Sequence, residues 1–135
     1  MGTPELAKQT RVLLVDDEPA LLKMMKIYLE RRGYAVTTSG STDGAADLAD
    51  ADPSAFAVAV LDATMVGMTM HNLALRLLRA NPAVRVLAAS GYPVDMSALE
   101  AAAPGRVAFL HKPFTPEMLA ASVRRMLAAQ EETGV

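Results

Sequence analysis

Four short apolar runs, each stopped by a polar residue, constrain this chain more than any other feature. Residues 12–15 (VLLV) run into Asp16 and Asp17, and residues 56–61 (FAVAVL) into Asp62. Residues 84–89 (VRVLAA) end at Ser90, and residues 107–110 (VAFL) at His111 and Lys112. A weaker run covers residues 35–38 (AVTT). Near-continuous apolar segments of this length suit strands covered on both faces, the condition of a parallel sheet.

Helical patterns fill the gaps. Residues 19–32 place Leu21, Met25 and Leu29 on one face and Lys23, Lys26 and Glu30 on the other, as an amphipathic helix requires. Gly33 supplies its stop. Residues 45–51 read as a short alanine-rich helix. Residues 71–80 carry Leu73, Leu77 and Leu78 against Arg76 and Arg79, and Asn81-Pro82 ends that segment. Residues 97–103 form a short helix with Ser97 and Glu100 at capping-box spacing. Thr115-Pro116-Glu117 opens the last helix as a cap followed by a first-turn proline; it continues to Leu127, and residues 130–135 read as a frayed tail. Five β-α repeats with right-handed crossovers build an open, doubly wound α/β sheet. Ligands of such sheets bind beyond the carboxyl ends of the strands.

The 135 residues fit one domain, expected to span the chain with a core over about residues 11–127. The absence of cysteine removes disulfides, thiolate metal sites and cysteine nucleophiles. Thirteen Lys+Arg against fifteen Asp+Glu leave no basic footprint for nucleic acid or an anionic membrane. Aromatics at 4% argue against a base-stacking surface. The longest uncharged stretch, residues 63–75, falls short of the roughly 20 apolar residues of a spanning helix. The first ten residues lack a secretory core, and His71 and His111 match no zinc spacing. The expectation is a cytoplasmic domain that binds neither nucleic acid nor membrane.

The polar residues at the strand ends carry the chemistry. A parallel sheet gathers Asp16, Asp17, Asp62, Ser90 and Lys112 at one edge. Three carboxylates there repel one another and call for a cation. Hard oxygen ligands without thiolates favour Mg²⁺. A divalent ion, a lysine and a hydroxyl around a carboxylate suit a phosphoryl group, and a carboxylate can be the nucleophile that accepts it. Taken alone, Asp17 reads as a helix cap, Ser90 as a turn residue and Lys112 as a solvated cation; their value lies in the constellation. His71 and His111 read as surface or rim residues. Met24, Met25, Met118 and Met126 read as core filler, whereas Met68 and Met70 read as loop residues with a possible partner contact.

VLLVDDEP (residues 12–19), VLDATM (60–65), ASGYP (89–93) and FLHKPF (109–114), in this order, resemble the response-regulator receiver domains of two-component signalling. The resemblance covers about residues 11–127. It implies a (βα)5 sheet of flavodoxin-like order 2-1-3-4-5. It also implies Asp62 as phosphoacceptor, and Asp16, Asp17, Asp62 and the Thr64 backbone carbonyl as Mg²⁺ ligands. Ser90 and Lys112 would contact the phosphoryl oxygens. Pro113 matches a frequently cis Lys-Pro bond, and Phe109 an aromatic that changes rotamer on activation. The implied donor is a histidine kinase or a histidine phosphotransfer protein. The implied output is a changed protein contact on the face of helix four, strand five and helix five, with the downstream partner unnamed. The wording of ASGYP and FLHKPF resembles receivers attached to hybrid kinases.

The loop after Asp62 departs from the family's M-P-G-M-D-G. Here Val66 replaces the proline, Thr69 the acid and Met70 the second glycine. One alternative is a degenerate receiver that binds partners without phosphorylation. The other is a phosphatase of the haloacid-dehalogenase type, which wants a second acid two residues after its nucleophile, where this chain has Thr64.

Overall fold

A computed structural model describes residues 9–65 and 67–133, with side chains through Ala129. Strands and helices alternate without exception. They are β1 Arg11–Val15, α1 Pro19–Arg31, β2 Ala35–Ser39, α2 Thr42–Ala51, β3 Val58–Asp62, α3 Met70–Ala80, β4 Arg85–Ser90, α4 Ser97–Ala102, β5 Val107–His111 and α5 Pro116–Thr133. All strand pairs are parallel, in the order β2-β1-β3-β4-β5. The expected doubly wound sheet and its strand order are therefore present.

Successive strand residues feed two separate cores. Leu13, Val15, Ala59, Leu61, Val86 and Ala88 pack on one face with Ala45, Leu73, Leu77 and Leu99 of α2, α3 and α4. Val12, Leu14, Val58, Val60 and Leu87 pack on the other with Met25, Leu29, Leu119 and Val123 of α1 and α5. A strand covered on both faces has no polar side to show, which explains the unbroken apolar runs. The register pairs Val15 with Leu61, Asp62 with Ala89, and Ser90 with His111. The polar residue ending each run therefore arrives at the same sheet edge.

Several element ends differ from the sequence expectation. β3 begins at Val58, not Phe56, and includes Asp62; Phe56 is buried just before it, under the Arg11 guanidinium at 5.2 Å from the ring centroid. α2 starts at Thr42, because the Ser41 Oγ accepts the Gly44 N–H at 2.9 Å and caps a turn whose own residues are weak helix formers. The capping box of α4 does not form. Asp95 accepts both the N–H and the hydroxyl of Ser97, while Glu100 accepts the Gly105 N–H at the far end. Asp17 does not cap α1, whose N-cap is Glu18 without a side-chain bond. Thr115 does cap the last helix, accepting the Met118 N–H at 3.1 Å. That helix extends to Thr133, beyond the expected start of a frayed tail. Met25 and Met126 are core residues, but Met24 and Met118 are exposed. Met70 is not a loop residue; it is buried as the first residue of α3.

Candidate functional site

The carboxyl edge of the sheet brings the five sequence-singled side chains into one region. Asp16 directly follows β1 and is 3% exposed. Its Oδ1 accepts the Glu18 N–H at 3.0 Å, and its Oδ2 accepts a hydrogen bond from the Lys112 Nζ at 2.8 Å. Asp17 is exposed beside it. Asp62, the last residue of β3, is 4% exposed. Lys112 follows β5, anchored by its N–H to the Ser90 carbonyl at 2.8 Å and followed by a cis bond to Pro113. Its ammonium also lies 3.6 Å from the Asp62 Oδ2.

The two oxygens of Asp62 are treated differently. Oδ1 accepts the Thr64 N–H at 3.0 Å and the Thr64 hydroxyl at 2.9 Å. Among the described residues, the nearby cation for Oδ2 is Lys112. Burial by itself would lower the Lys112 pKa. The hydrogen bond to Asp16 and the charges of Asp16, Asp62 and Glu18 outweigh it and hold the ammonium above its usual value. Lys112 therefore stays charged at neutral pH.

Asp16, Asp17 and Asp62 each offer an oxygen, all within 4.8 Å of one another. One lysine does not balance three carboxylates. The unbalanced set is made of hard oxygen donors, partly buried, and fits a small divalent cation such as Mg²⁺. Thr64 is exposed at the rim.

Ser90 ends β4, is 1% exposed, and its Oγ accepts the Tyr92 N–H at 3.0 Å. Phe109 stands apart from the cluster on edge strand β5, 36% exposed, edge-on to the exposed His111 ring at 6.4 Å. His71 is half-buried on α3. Of the divergent loop, Val66 lies outside the described residues. Gly67 takes φ 99°, and a Cβ there would sit 3.1 Å from the Thr42 Oγ1. Thr69, standing where the family carries an acid, caps α3 by accepting the Asn72 N–H at 3.1 Å. Two of the loop's departures, Thr69 and Met70, thus serve the start of α3, while the turn falls to Gly67, which the pattern M-P-G-M-D-G also has.

Sequence reasoning assigned Thr64 only through its carbonyl and missed the hydroxyl bond to Asp62. The signal was a hydroxyl residue two positions after an acid, the spacing of a local side-chain turn.

A family model for the response regulator receiver domain matches residues 12–124. Among curated proteins, the sensor kinase CckA of Brucella abortus is 31% identical over 94% of this chain and 13% of its own length. The probable transcriptional regulatory protein TcrX of Mycobacterium tuberculosis is 32% identical over 92% of this chain and 51% of its own. The chain therefore spans from about an eighth to half of these relatives. Among solved structures, a CheY-like receiver domain protein of Methanospirillum hungatei superposes with TM-score 0.79 at 26% identity, covering 93% of this chain and 98% of that one. The BeF3-activated DrrB receiver domain superposes at 0.72 with 26% identity, over 89% and 98% of the two chains. This chain belongs to the response-regulator receiver family of two-component signalling.

Proposed function

We propose that Asp62 accepts a phosphoryl group from a phosphohistidine, on a histidine kinase or a histidine phosphotransfer protein, and that this switches the chain's contacts with a downstream protein. The observation that carries the reading is the Lys112 ammonium set against both Asp16 and Asp62, at 2.8 and 3.6 Å. A carboxylate oxygen of Asp62 attacks phosphorus. A P–O bond forms, the P–N bond to the donor imidazole breaks, and its electron pair returns to the ring nitrogen, which takes a proton from solvent. Lys112 offsets charge on the phosphoryl oxygens as it transfers. The Ser90 hydroxyl, buried at the end of the neighbouring strand, donates to one of them. Asp16, Asp17, Asp62 and the Thr64 carbonyl would hold Mg²⁺. When bound, the ion supplies charge neutralisation at the transferring group.

Phosphorylation adds strong acceptor oxygens beside Ser90. Drawing its hydroxyl inward vacates space toward β5, and the half-exposed Phe109 has no polar group to lose by turning into it. That movement reshapes the face of α4, β5 and α5, which meets the partner. A hundredfold change in a two-state ratio needs about 2.7 kcal/mol, within reach of one or two charge-assisted hydrogen bonds. A cytoplasmic setting belongs to the same reading, and among the described residues no helix is long and apolar enough to cross a membrane. Thr64 occupies the position where a haloacid-dehalogenase-type phosphatase needs an acid, so phosphoester turnover is not expected.

Intact-mass measurement after treatment with acetyl phosphate and Mg²⁺ tests the assignment. The parent is expected to gain one phosphoryl group and Asp62→Asn none, because an amide is a far weaker nucleophile. Labelling of Asp62→Asn at the parental rate would overturn it.

A further inference from the structure

The residues of the candidate metal site come from two places in the chain. Asp16 and Asp17 follow β1, while Asp62 ends β3 and Thr64 lies in the loop beyond it. Both halves lean on a third segment that offers no ligand, the corner between β2 and α2. On one side, the Asp16 N–H donates to the carbonyl of Ser39, the last residue of β2, at 3.2 Å. On the other side, Gly67 of the β3–α3 loop lies against Thr42, the first residue of α2. A Cβ at Gly67 would sit 3.1 Å from the Thr42 Oγ1, so the loop backbone passes that hydroxyl in close contact.

Thr42 is 1% exposed, as enclosed as Ser90. Helix propensity gives no reason for a threonine there, and a hydroxyl buried to this degree has to be hydrogen-bonded. The corner that carries it is tied internally. The Ser39 hydroxyl donates to the Ser41 carbonyl at 2.8 Å, and the Ser41 Oγ accepts the Gly44 N–H at 2.9 Å. Glycine is a poor helix former, yet a Cβ at Gly44 would stand 2.8 Å from the Ser41 Oγ and 2.9 Å from the Ser39 Oγ. Helix propensity is given up in α2 to keep both hydroxyls in place. The loop that carries Thr64 is then held at three points: by the bonds of Thr64 to Asp62, by Gly67 against Thr42, and by the Thr69 cap of α3. Only Met65 and Val66 separate Thr64 from Gly67. With two soft dihedrals per residue, so short a span passes a displacement of Gly67 on to the Thr64 peptide.

We propose that Thr42 is a positioning residue for the divalent ion. The β2–α2 corner, tied to Asp16 at one end and meeting the β3–α3 loop at the other, sets the spacing between the two halves of the site. It holds the loop whose Thr64 carbonyl would join the ligands. The inference rests on the reading of the acid cluster as a Mg²⁺ site. Outer residues that orient a metal's ligands are worth about 10–100-fold in affinity; Thr42 acts through the loop, which places it at the low end.

The experiment is nitrogen-15 NMR on the full chain, with MgCl₂ titrated at constant ionic strength. Thr42→Val keeps the branched shape and removes the hydroxyl, whereas Thr42→Ser keeps the hydroxyl. Without the ion, the Thr64 amide, which donates to Asp62, is expected to shift and to exchange faster with solvent in Thr42→Val but not in Thr42→Ser. With the ion, Thr42→Val is expected to bind about tenfold more weakly than the parent, and Thr42→Ser within about twofold of it. A threonine of merely structural value would lower the urea midpoint and leave the dissociation constant alone. That result overturns the proposal, as does a Thr42→Ser that binds as weakly as Thr42→Val. Ser41→Ala, a change at an exposed position that loosens the same corner, carries the test if Thr42→Val does not fold. It is expected to weaken binding by a smaller factor, and parental affinity in it overturns the proposal. No saturable response in the parent brings down the Mg²⁺ reading and this proposal with it; parental binding with an unchanged constant in Thr42→Val brings down this proposal alone.

Discussion

Charged side chains are buried at both edges of the sheet, but they are satisfied in opposite ways. At the amino edge, Arg106 donates to three backbone carbonyls, those of Val84, Leu78 and Asn81, at 3.0, 3.2 and 2.6 Å. Arg85 donates to a fourth, that of Gly105. Among the described residues no acid takes part, and carbonyls that would otherwise need water are closed by guanidinium forks. At the carboxyl edge, three carboxylates lie together and two of them, Asp16 and Asp62, share the Lys112 ammonium. Among the described residues, backbone N–H groups take up Asp16 Oδ1 and Asp62 Oδ1 and no other oxygen of the three. A buried charge answered by backbone dipoles holds the fold together. A buried charge left to be answered by something that comes and goes marks a site. Arg85 commits one nitrogen to the backbone, while its enclosed Nε has no partner among the described residues.

The largest expected effect that would break this comparison is on stability at the amino edge. Arg106→Ala removes the donors of three carbonyls and should cost about 2–4 kcal/mol at roughly 1 kcal/mol per bond. Urea unfolding reads it as a lower midpoint with an unchanged slope, while labelling by acetyl phosphate at low denaturant should persist. Loss of labelling in a protein of parental stability would mean that the amino edge is not merely structural.

A smaller effect is expected at the other edge, where stability should depend on the solution. Mg²⁺ at ten times its dissociation constant should stabilise the parent by about 1.4 kcal/mol. Asp17 is exposed and belongs to the three-carboxylate group, so Asp17→Asn should unfold at the parental midpoint or slightly above it without Mg²⁺, and gain little when the ion is added. Melts with MgCl₂ against KCl at equal ionic strength separate binding from screening. A parental gain reproduced by KCl would remove the divalent site from the comparison.

The carboxyl edge was far more legible in the sequence than the amino edge. An acid placed directly after an apolar run has no packing reason to be there, so Asp16, Asp62 and the run ending in Ser90 announced themselves. Lys112 gained meaning from company alone. The arginines of the amino edge were hidden inside apolar runs. Arg85 lies within VRVLAA, and Arg106 immediately precedes VAFL, where each passes for a strand residue with its charge in water. Their partners are backbone carbonyls distant in sequence, which no side-chain pattern records. The alternation of strands and helices followed from periodicity and the strand order from the family resemblance, while element ends followed from neither. Ser41 extends α2 by a cap that the alanine run beyond it conceals. Ser97 and Glu100 had capping-box spacing, yet Asp95 and Gly105 offered closer partners.

The smallest expected effect sharpens the difference between the two oxygens of Asp62. Thr64 holds Oδ1 twice, by its N–H and by its hydroxyl, at 3.0 and 2.9 Å. This leaves Oδ2 on the side of Lys112. Thr64→Val keeps the branched shape and the N–H but removes the hydroxyl. The remaining bond still restrains the carboxylate, so positioning is loosened and not lost. The rate of labelling by acetyl phosphate should fall about threefold to tenfold, or roughly 0.7–1.4 kcal/mol of barrier. Thr64→Ser restores the hydroxyl and should recover most of the rate, which a purely steric role of the side chain would not explain. Thr64 is exposed, so the unfolding midpoint should move by less than about 1 kcal/mol in either variant. If Val and Thr label equally fast, the backbone bond alone aims the nucleophile. The carboxyl edge would then resemble the amino edge at this one oxygen, its charge fixed by backbone and indifferent to the neighbouring side chain.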